Sequence, residues 1–544
     1  MSATEKDGAA ETSETLRQGR ALVRHGSILS LLTLVSRVLG LAREMAKASL
    51  LGTSALSDAF SVAFMIPNLF RRLFAEGSIA VAFIPTFKEY LLEDSGPDAP
   101  RAAAATREFL SCVFSLLTFL VSLAVMAGIL LSPLIIPVFG LEAEEETVLL
   151  TRIMFPFLGF ISVAALFQGI LNSLKVFTPS ALAPIILNLA VILAAYGLSP
   201  FTANPARAMA AGVFAGGFLE AAIQLPFVLK TGRRFFFVGL KRAFTNPGTR
   251  KVLALIGPTI VGMAAYQLND LVSTALAGNA GEGVVSSLQY SLRLQELILG
   301  VFAVSIGTVL LPDLAEYAKT RRWDIYSERL SGAMDIIALI TIPITFYSLA
   351  EGEHLVRLLF QNRSFDEESV RLTLQALRFH MPGLFFIALN RILAPAFYAQ
   401  SDSKSPTLAG IFSFGANILL AALLVRPMRG AGIALALTLA SAVNTALLLI
   451  FLRKNPRIDL GRALRSALGC AAKLTLLSAL ASLPILALQP RIAAPFAAGG
   501  RLVRHGLPLA LSGILYAALG LGLLLITRDR RLWAVLRILR RKRA

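Results

Sequence analysis

The sequence is short of charge and of cysteine, and both shortages restrict the kind of protein that it encodes. Only 16% of its 544 residues are charged, whereas 56% are hydrophobic, and a soluble domain carries about 25% charged residues. Too few polar residues remain to cover several globular surfaces. The two cysteines, Cys112 and Cys470, lie in apolar runs, which argues against a disulfide framework or a cysteine metal site. We therefore expect a protein that has lipid as its solvent.

Enzymatic motifs are missing as well. The sequence contains no Walker loop, which excludes ATP as the direct energy source. The four histidines are dispersed along the chain rather than placed at metal-ligand spacing: His25, His354, His380 and His505. The acidic run from Asp366 to Glu368 is typical of a solvated loop. These absences favour a membrane protein that is not an enzyme and holds no cofactor.

Long apolar runs are what the sequence has in abundance. A bilayer core of about 30 Å takes roughly 20 apolar residues as a helix. The runs predict an all-α polytopic membrane protein with about 14 transmembrane helices. We place these spans near 26–51, 59–87, 108–139, 148–171, 180–199, 207–229, 252–277, 284–315, 331–350, 372–398, 405–425, 430–452, 466–489 and 505–527.

The excess of positive charge indicates an orientation. The chain has 52 Lys and Arg against 33 Asp and Glu, a net charge of +19. In a soluble protein this balance would suggest nucleic acid. Here, 33 of the cations fall in the loops and tails on one side of the fourteen spans, and 7 fall in the opposite loops. Because cytoplasmic loops are rich in Lys and Arg, we expect both termini in the cytoplasm, contact with inner-membrane lipids, and no nucleic-acid partner.

Prolines and one short motif recur at a nearly constant offset, which indicates an internal repeat. The segment "IPTFKEY" at 84–90 resembles "LPDLAEY" at 311–317, and Pro179 and Pro406 are again 227 positions apart. Six spans separate equivalent positions, so the two halves are parallel repeats. We expect two six-helix lobes with a substrate cavity between them, and spans 13 and 14 outside the repeat. A duplicated scaffold without transport is the alternative.

The repeat and the charge runs together predict the domain boundaries. We expect a disordered cytoplasmic tail (1–25), an N-lobe of spans 1–6 (26–230), a basic cytoplasmic linker (231–251), a C-lobe of spans 7–12 (252–453), the two extra spans 13–14 (466–527), and a basic cytoplasmic tail (528–544).

Ionisable residues within predicted spans are costly and by default mark function. The core set comprises the arginines Arg37, Arg43, Arg71, Arg72 and Arg293 and the acids Glu44, Asp58, Glu76, Asp270 and Glu296. Helical spacing puts Arg72 near Glu76 and Arg293 near Glu296. Arg43 has no acid three or four positions further on.

A surplus of guanidinium groups suits an anion with several oxygens, such as pyrophosphate. The pattern leaves open which of Arg71 and Arg72 faces a cavity, since either can extend to a lipid headgroup. Gly40 and Pro67 lie near these charges and predict a hinge, although both residue types are common in membrane helices.

Four segments resemble the MurJ (MviN) family of bacterial lipid II flippases. They are "SRVLGLARE" (36–44), "DAFSVAFMIPNLFRRLFAEGSIAVAFIPTFKEY" (58–90), "ILNSLKVFTPSALAPIILN" (170–188) and "LAPAFYAQSDSKSPT" (393–407). The resemblance extends from about residue 25 to the end. It implies the exporter superfamily of multidrug, oligosaccharidyl-lipid and polysaccharide transporters, with two six-helix lobes and two extra helices. In this family the extra helices, here spans 13–14 (466–527), form a hydrophobic groove that leads to the cavity and suits a lipid tail.

The resemblance also implies roles for individual residues. The essential cavity arginines of the family fall on Arg37, Arg43, Arg71 or Arg72, and Arg293, and its acidic positions on Asp58 and Glu296. Glu44 and Glu76 would add to the charge that gates the cavity. A sodium site present in some members would use Asp270, Asn417 and Thr438. Ala421 stands where a second acid is expected, which argues against sodium coupling.

The sequence therefore predicts a monomeric flippase that moves lipid II across the bacterial inner membrane by alternating access. Its arginines would bind the pyrophosphate, and Na⁺ or the membrane potential is left open as the driving force. Other cell-wall synthesis proteins are candidate partners. The alternatives are a flippase for another polyprenyl-linked saccharide, a multidrug exporter of the same superfamily, a membrane enzyme and a scaffold for cell-wall synthesis.

Overall fold

The fold is built from helices. The computed structural model describes residues 31–73, 82–94 and 99–528, and this part of the chain contains no β-strand. In chain order its α-helices are α1 (31–51), α2 (Ala55–Arg71), α3 (Ile84–Glu93), α4 (Ala99–Ile135), α5 (Glu144–Met154), α6 (Phe157–Ser173), α7 (Thr178–Gly197), α8 (Pro205–Lys230), α9 (Leu240–Thr245), α10 (Pro247–Gly278), α11 (Val284–Lys319), α12 (Trp323–Phe360), α13 (Glu367–Tyr398), α14 (Lys404–Met428), α15 (Gly430–Arg453), α16 (Leu460–Ala493) and α17 (Leu507–Ile526).

Ten segments among the described residues are long and apolar enough to cross a membrane. They correspond to the predicted spans 3–6 and 9–14. The predicted all-α polytopic class is therefore confirmed, while the count of fourteen stays a prediction. Spans 1, 2, 7 and 8 are the ones that carry most of the intramembrane charges, and these charges lower the mean hydropathy of α1, α2 and α11.

Local signals explain where several helices begin. Asn204 precedes α8, and its side-chain oxygen accepts a hydrogen bond from the backbone N–H of Arg207 at 3.0 Å. Asp366 caps α13 in the same way by accepting from Ser369 N at 2.9 Å. Such caps satisfy backbone donors that have no partner within the helix. The run Asp366–Glu368 is exposed, as predicted, but it forms the N-cap and first turn of α13 rather than a loop.

The chain divides into two compact units. The first comprises residues 1–50, 59–138 and 143–267, and the second comprises 51–58, 139–142 and 268–544. In the first unit, α8 packs against α6 and α7. Its core includes stacked aromatic rings, with the centroid of Tyr90 4.5 Å from that of Phe109 and the centroid of Phe83 5.8 Å from it.

The second unit repeats this internal packing. Here α15 packs against α13 and α14. Under the sequence repeat, α13, α14 and α15 are equivalent to α6, α7 and α8. Its core lies around α12 and α13, where the buried Tyr326 hydroxyl donates to the carbonyl of Ala396 at 2.5 Å. Two further helices complete the unit: α16 packs along α12, and α17 packs against both.

Candidate functional site

Helix α1 carries two of the predicted cavity arginines. Arg37 is half-buried, and no carboxylate in the described part of the chain lies within ion-pair distance of it. Arg43 instead contacts Glu44, with 2.9 Å between Nη2 and Oε1, and its guanidinium carbon lies 5.4 Å from the centre of the Phe64 ring. The two arginines therefore differ in how far their charge is already compensated.

Arg43 has no acid three or four positions further on, but it pairs with the acid that directly follows it. Sequence spacing considers positions three and four residues apart, because adjacent side chains on a helix diverge. The long arginine side chain nevertheless reaches the carboxylate of the next residue. The side chains of Arg43 and Glu44 are only 18% and 13% exposed, so the pair is shielded from solvent and its attraction is stronger than at a surface.

A third cation of α1, Lys47, was not among the predicted site residues. It is 2% exposed, and its Nζ donates to the hydroxyl of Ser61 on α2 at 2.5 Å. A buried ammonium group requires such polar contacts because removing it from water is costly. The signal that could have found it is its place one turn after Arg43, on the same face of the helix.

Helix α2 carries the next predicted residues. Arg71 and Arg72 are both half-buried, and Arg71 Nε donates to Asn68 Oδ1 at 2.7 Å. Pro67 is buried inside this helix, and Gly40 is buried on α1. Their role as hinges stays a prediction. Glu76 lies outside the described residues.

Arg293 and Glu296 of α11 form the pair that their spacing predicted. Nη1 of Arg293 lies 3.3 Å from Oε2 of Glu296, and the side chains are 29% and 57% exposed. An exposed pair of this kind contributes at most about 1 kcal/mol. Arg293 is therefore only weakly held by its partner.

Asp58 has a different environment from the arginines. It is 2% exposed, and its two carboxylate oxygens accept from the backbone N–H groups of Gly283 and Ser286, each at 2.8 Å. It thereby caps the first turn of α11, where a negative charge is favourable. In return, the side chain of Glu282 accepts from the backbone N–H of Ala55 at the start of α2, also at 2.8 Å.

The residues predicted for sodium are engaged in hydrogen bonds. Asn417 Nδ2 donates to Asn269 Oδ1 at 2.7 Å and to Ser273 Oγ at 3.0 Å, and Thr438 donates to the carbonyl of Phe379 at 2.6 Å. Asp270 lies next to Asn269 on α10 and is half-buried.

Only part of this set fits a cation. Asn417 Oδ1 is a buried acceptor with no hydrogen-bond partner among the described residues, which suits a ligand oxygen. Ala421, one turn further on α14, is fully buried and offers no ligand atom. Sodium binding stays a prediction.

Guanidinium groups held in partly buried positions can bind the oxygens of a phosphate through two parallel hydrogen bonds each. Arg37 has no ion-pair partner among the described residues, and Arg293 has a partly exposed one, so each of these guanidinium groups is available for such a contact. The carboxylate of Asp58 already accepts two backbone hydrogen bonds, so its geometry indicates a structural contribution at the start of α11.

Comparison with known proteins agrees with this fold. Residues 47–504 match the model of the family described as lipid II flippase MurJ. A probable lipid II flippase MurJ of Treponema pallidum is 45% identical over 525 residues, covering 96% of this chain and 99% of the relative. A lipid II flippase MurJ of Burkholderia cenocepacia is 35% identical over 430 residues, covering 78% and 82%.

Solved structures share the architecture. A lipid II flippase MurJ in an inward closed conformation superposes with a TM-score of 0.74 at 23% identity, over 92% of this chain and 99% of the other. An inward-facing multidrug resistance transporter of the MATE family, within the MOP superfamily, gives a TM-score of 0.63 at 13% identity, over 79% and 96%. The predicted resemblance is therefore confirmed: the chain belongs to the MurJ family of lipid II flippases, which are transporters built from membrane-spanning helices.

Proposed function

We propose that this protein flips lipid II, the undecaprenyl-pyrophosphate-linked disaccharide-pentapeptide, from the cytoplasmic to the periplasmic leaflet by alternating access. Membership of the MurJ family and 45% identity to a relative over nearly the whole chain support the substrate. The membrane-spanning helices support a place in the bacterial inner membrane. Transport rather than chemistry is the activity that this family membership favours.

The uncompensated charge of Arg37 carries the proposal for how the substrate is bound. A cation that is half-buried and lacks an ion-pair partner among the described residues has a free-energy reason to bind an anion. The pyrophosphate of lipid II supplies several oxygens for it. Arg43, Arg71, Arg72 and Arg293 add further guanidinium groups, while Glu44 and Glu296 each hold one of them in position.

The polyprenyl tail is proposed to remain in lipid along α16 and α17. These helices expose large apolar side chains, among them Leu476 and Leu483 at 61% each and Ile514 at 68%. Exposed leucine and isoleucine on a membrane helix contact hydrocarbon at no energetic penalty. The tail therefore does not have to cross a polar region while the sugar and peptide move.

The proposal includes an orientation with both termini in the cytoplasm. This orientation is supported by the 33 cations on one side against 7 on the other. The membrane potential supplies about 2.3 kcal/mol per charge moved per 100 mV, which is enough to bias a cycle that moves an anionic headgroup. Oligomeric state and contacts with cell-wall synthesis proteins stay predictions, with a monomer expected.

The test is complementation of a strain depleted of its own flippase, with periplasm-accessible lipid II as the readout. The wild-type chain should restore accessibility, and a variant with Arg37, Arg43 and Arg293 all replaced by alanine should not. The matched control is Arg371→Ala, because Arg371 forms an exposed three-residue-spaced pair with Glu368 on α13. Membrane levels of each variant are measured in parallel.

Two outcomes would contradict the proposal. A wild-type chain that reaches the membrane at normal levels but does not restore accessibility would show that the protein is not a lipid II flippase. Full restoration by the triple alanine variant would show that the arginines do not bind the pyrophosphate. If Arg371→Ala also failed to restore accessible lipid II, the loss of activity in the triple variant would reflect a general effect of removing arginines and not a contact with the substrate.

A further inference from the structure

A stripe of polar side chains lies on the face of α12 that packs against α17. Tyr347, Glu351 and His354 are spaced four and three residues apart, which places them on one helix face. Facing them are His505, in the turn Leu502–Gly506, and Ser512 on α17. Polar groups within membrane helices are costly to keep and by default mark function.

The two imidazoles are in direct contact. Nδ1 of His354 lies 3.1 Å from Nδ1 of His505, and the ring centres are 5.3 Å apart. His505 is 6% exposed. A hydrogen bond between two Nδ1 atoms requires a proton on one and a lone pair on the other. The contact is therefore compatible with neutral rings and with one shared positive charge, and incompatible with two.

One turn deeper, the stripe continues into a buried carboxyl group. Glu351 is 1% exposed, and its Oε2 has no hydrogen-bond partner among the described residues. Beside it, the Tyr347 hydroxyl donates to the carbonyl of Leu509 and lies 3.2 Å from Ser512 Oγ. Glu351 and Tyr347 therefore extend the polar interface between α12 and α17 beyond the imidazole pair.

Other charged groups face the pair from three elements. On α12 they are Glu353 and Arg357, which bond each other at 2.9 Å. Arg504 lies next to His505 in the same turn, and its positive charge acts on the His505 ring. Glu367 of α13 forms an ion pair with Arg357 at 2.6 Å. From α16, the groups near this interface are the uncharged hydroxyls of Ser478 and Ser482, next to Tyr516.

The cations of this set explain why a second proton is resisted. Arg357 is bonded to two carboxylates, whereas Arg504 adds positive charge close to His505. A doubly protonated pair would place two imidazolium rings and Arg504 together. The repulsion is large where water is scarce.

We propose that His354 and His505 form a proton-binding site that holds α17 against α12. With no proton or one proton added, the Nδ1–Nδ1 hydrogen bond persists and the helices stay together. When both imidazoles are protonated, each Nδ1 is a donor, the bond is lost, and like charges push the start of α17 away from α12. Because α17 belongs to the proposed tail-binding pair, acid would then change the surface that the lipid tail follows.

The experiment measures this separation without any substrate. Nitroxide labels are placed at Ile336→Cys on α12 and Ile514→Cys on α17, which are 45% and 68% exposed. The two buried native cysteines, Cys112 and Cys470, are replaced by alanine. Pulsed EPR distances of the full chain in lipid nanodiscs are recorded from about pH 8 to about pH 4, a range that extends below the usual titration of histidine because the second proton is resisted. A second, longer distance should appear at the acidic end.

The control variants separate titration from loss of packing. In the double variant His354→Gln and His505→Gln, which keeps polar side chains that do not titrate, the distance distribution should be the same at both ends of the pH range. His25→Gln, a histidine outside this pair, should behave like the wild type. A wild-type distance that does not change with pH, or the same change in the double glutamine variant, would overturn the proposal. Since no lipid II is present, either result leaves the proposed flippase activity to be judged separately.

Discussion

Asp58 accepts the backbone N–H of Gly283 at 2.8 Å, across 225 residues of sequence. A second oxygen of the same carboxylate accepts Ser286 N, so one buried side chain satisfies two donors at the start of α11. The carboxylate links the start of α2 to the start of α11. Glu282 makes the reciprocal contact with Ala55, although from an exposed position.

Replacing Asp58 by alanine should destabilise the protein. Two buried N–H groups would lose their acceptor, and an unsatisfied buried donor costs about 1–3 kcal/mol. Glu282→Ala is the matched comparison, because it removes one hydrogen bond at an exposed position, for about 0.5–1 kcal/mol. The melting temperatures of both variants in detergent measure the difference in stability. Equal melting temperatures for the two variants would contradict this explanation of the cap.

Gly52 should not tolerate a side chain. Its φ is +56°, a conformation that favours glycine, and a Cβ built there would lie 2.1 Å from the carbonyl oxygen of Ser364. Gly52→Ala should therefore lower stability by at least about 2 kcal/mol. Gly520→Ala is the control, because a Cβ at Gly520 meets nothing within 4 Å. Melting temperatures of the two variants would settle it, and a stable Gly52→Ala protein would refute the prediction.

At Arg37, alanine and lysine should differ in their effect on transport. Arg37 has no ion pair to lose among the described residues, so Arg37→Ala should keep the melting temperature and lower lipid II flipping about ten- to a hundred-fold, which corresponds to one charge-assisted hydrogen bond. Arg37→Lys retains the charge but not the two parallel donors, so an intermediate rate is expected. Flipping in proteoliposomes measures both variants. Wild-type flipping by Arg37→Ala would remove this residue from the binding site.

Asp402, in the loop between α13 and α14, should make stability depend on pH. Partial burial raises its pKa, but hydrogen bonds from the hydroxyl of Ser405 at 2.6 Å and from its backbone N–H at 3.1 Å outweigh this and hold the pKa below its usual range. The carboxylate therefore stabilises the fold above its unfolded pKa of about 3.9, and the contribution is lost as pH falls through the lower folded value.

Comparison of the wild type with Asp402→Asn checks this. The variant should be less stable at neutral pH, and the gap should close as the solution is acidified below about pH 4. The measurement is the melting temperature of both proteins in detergent over that range. A gap that is constant with pH would show that the carboxylate charge contributes nothing.

Transport should not require sodium. Ala421 is fully buried and supplies no ligand atom, and the Thr438 hydroxyl proton is already donated to Phe379. Sodium prefers several oxygen ligands, as other hard cations do. Flipping in proteoliposomes should be the same when external Na⁺ is replaced by K⁺. A rate that falls in K⁺ and is reduced further by Asn417→Ala would instead establish the sodium site.

Much of the fold could be predicted from the sequence because its signals are local. Apolar runs long enough to span a bilayer locate most helices, and the constant offset between Pro179 and Pro406 indicates that the packing of α6, α7 and α8 recurs in α13, α14 and α15. The pairing of Arg293 with Glu296 followed from helical spacing alone. The apolar runs and the Arg293–Glu296 pair depend on residues close together in the chain, whereas the repeat is visible because the two halves share a sequence pattern.

Less of the candidate site could be predicted from the sequence. The sequence by itself determined that arginines lie in apolar helices and that the chain resembles the MurJ family. Only the tertiary structure decided that Lys47 is buried against Ser61 of α2, that Asp58 caps a helix that begins 226 residues later, and that His354 meets His505 across 151 residues. The physical reason is that burial and hydrogen-bond partners depend on which helices pack together, and helices distant in sequence make these contacts.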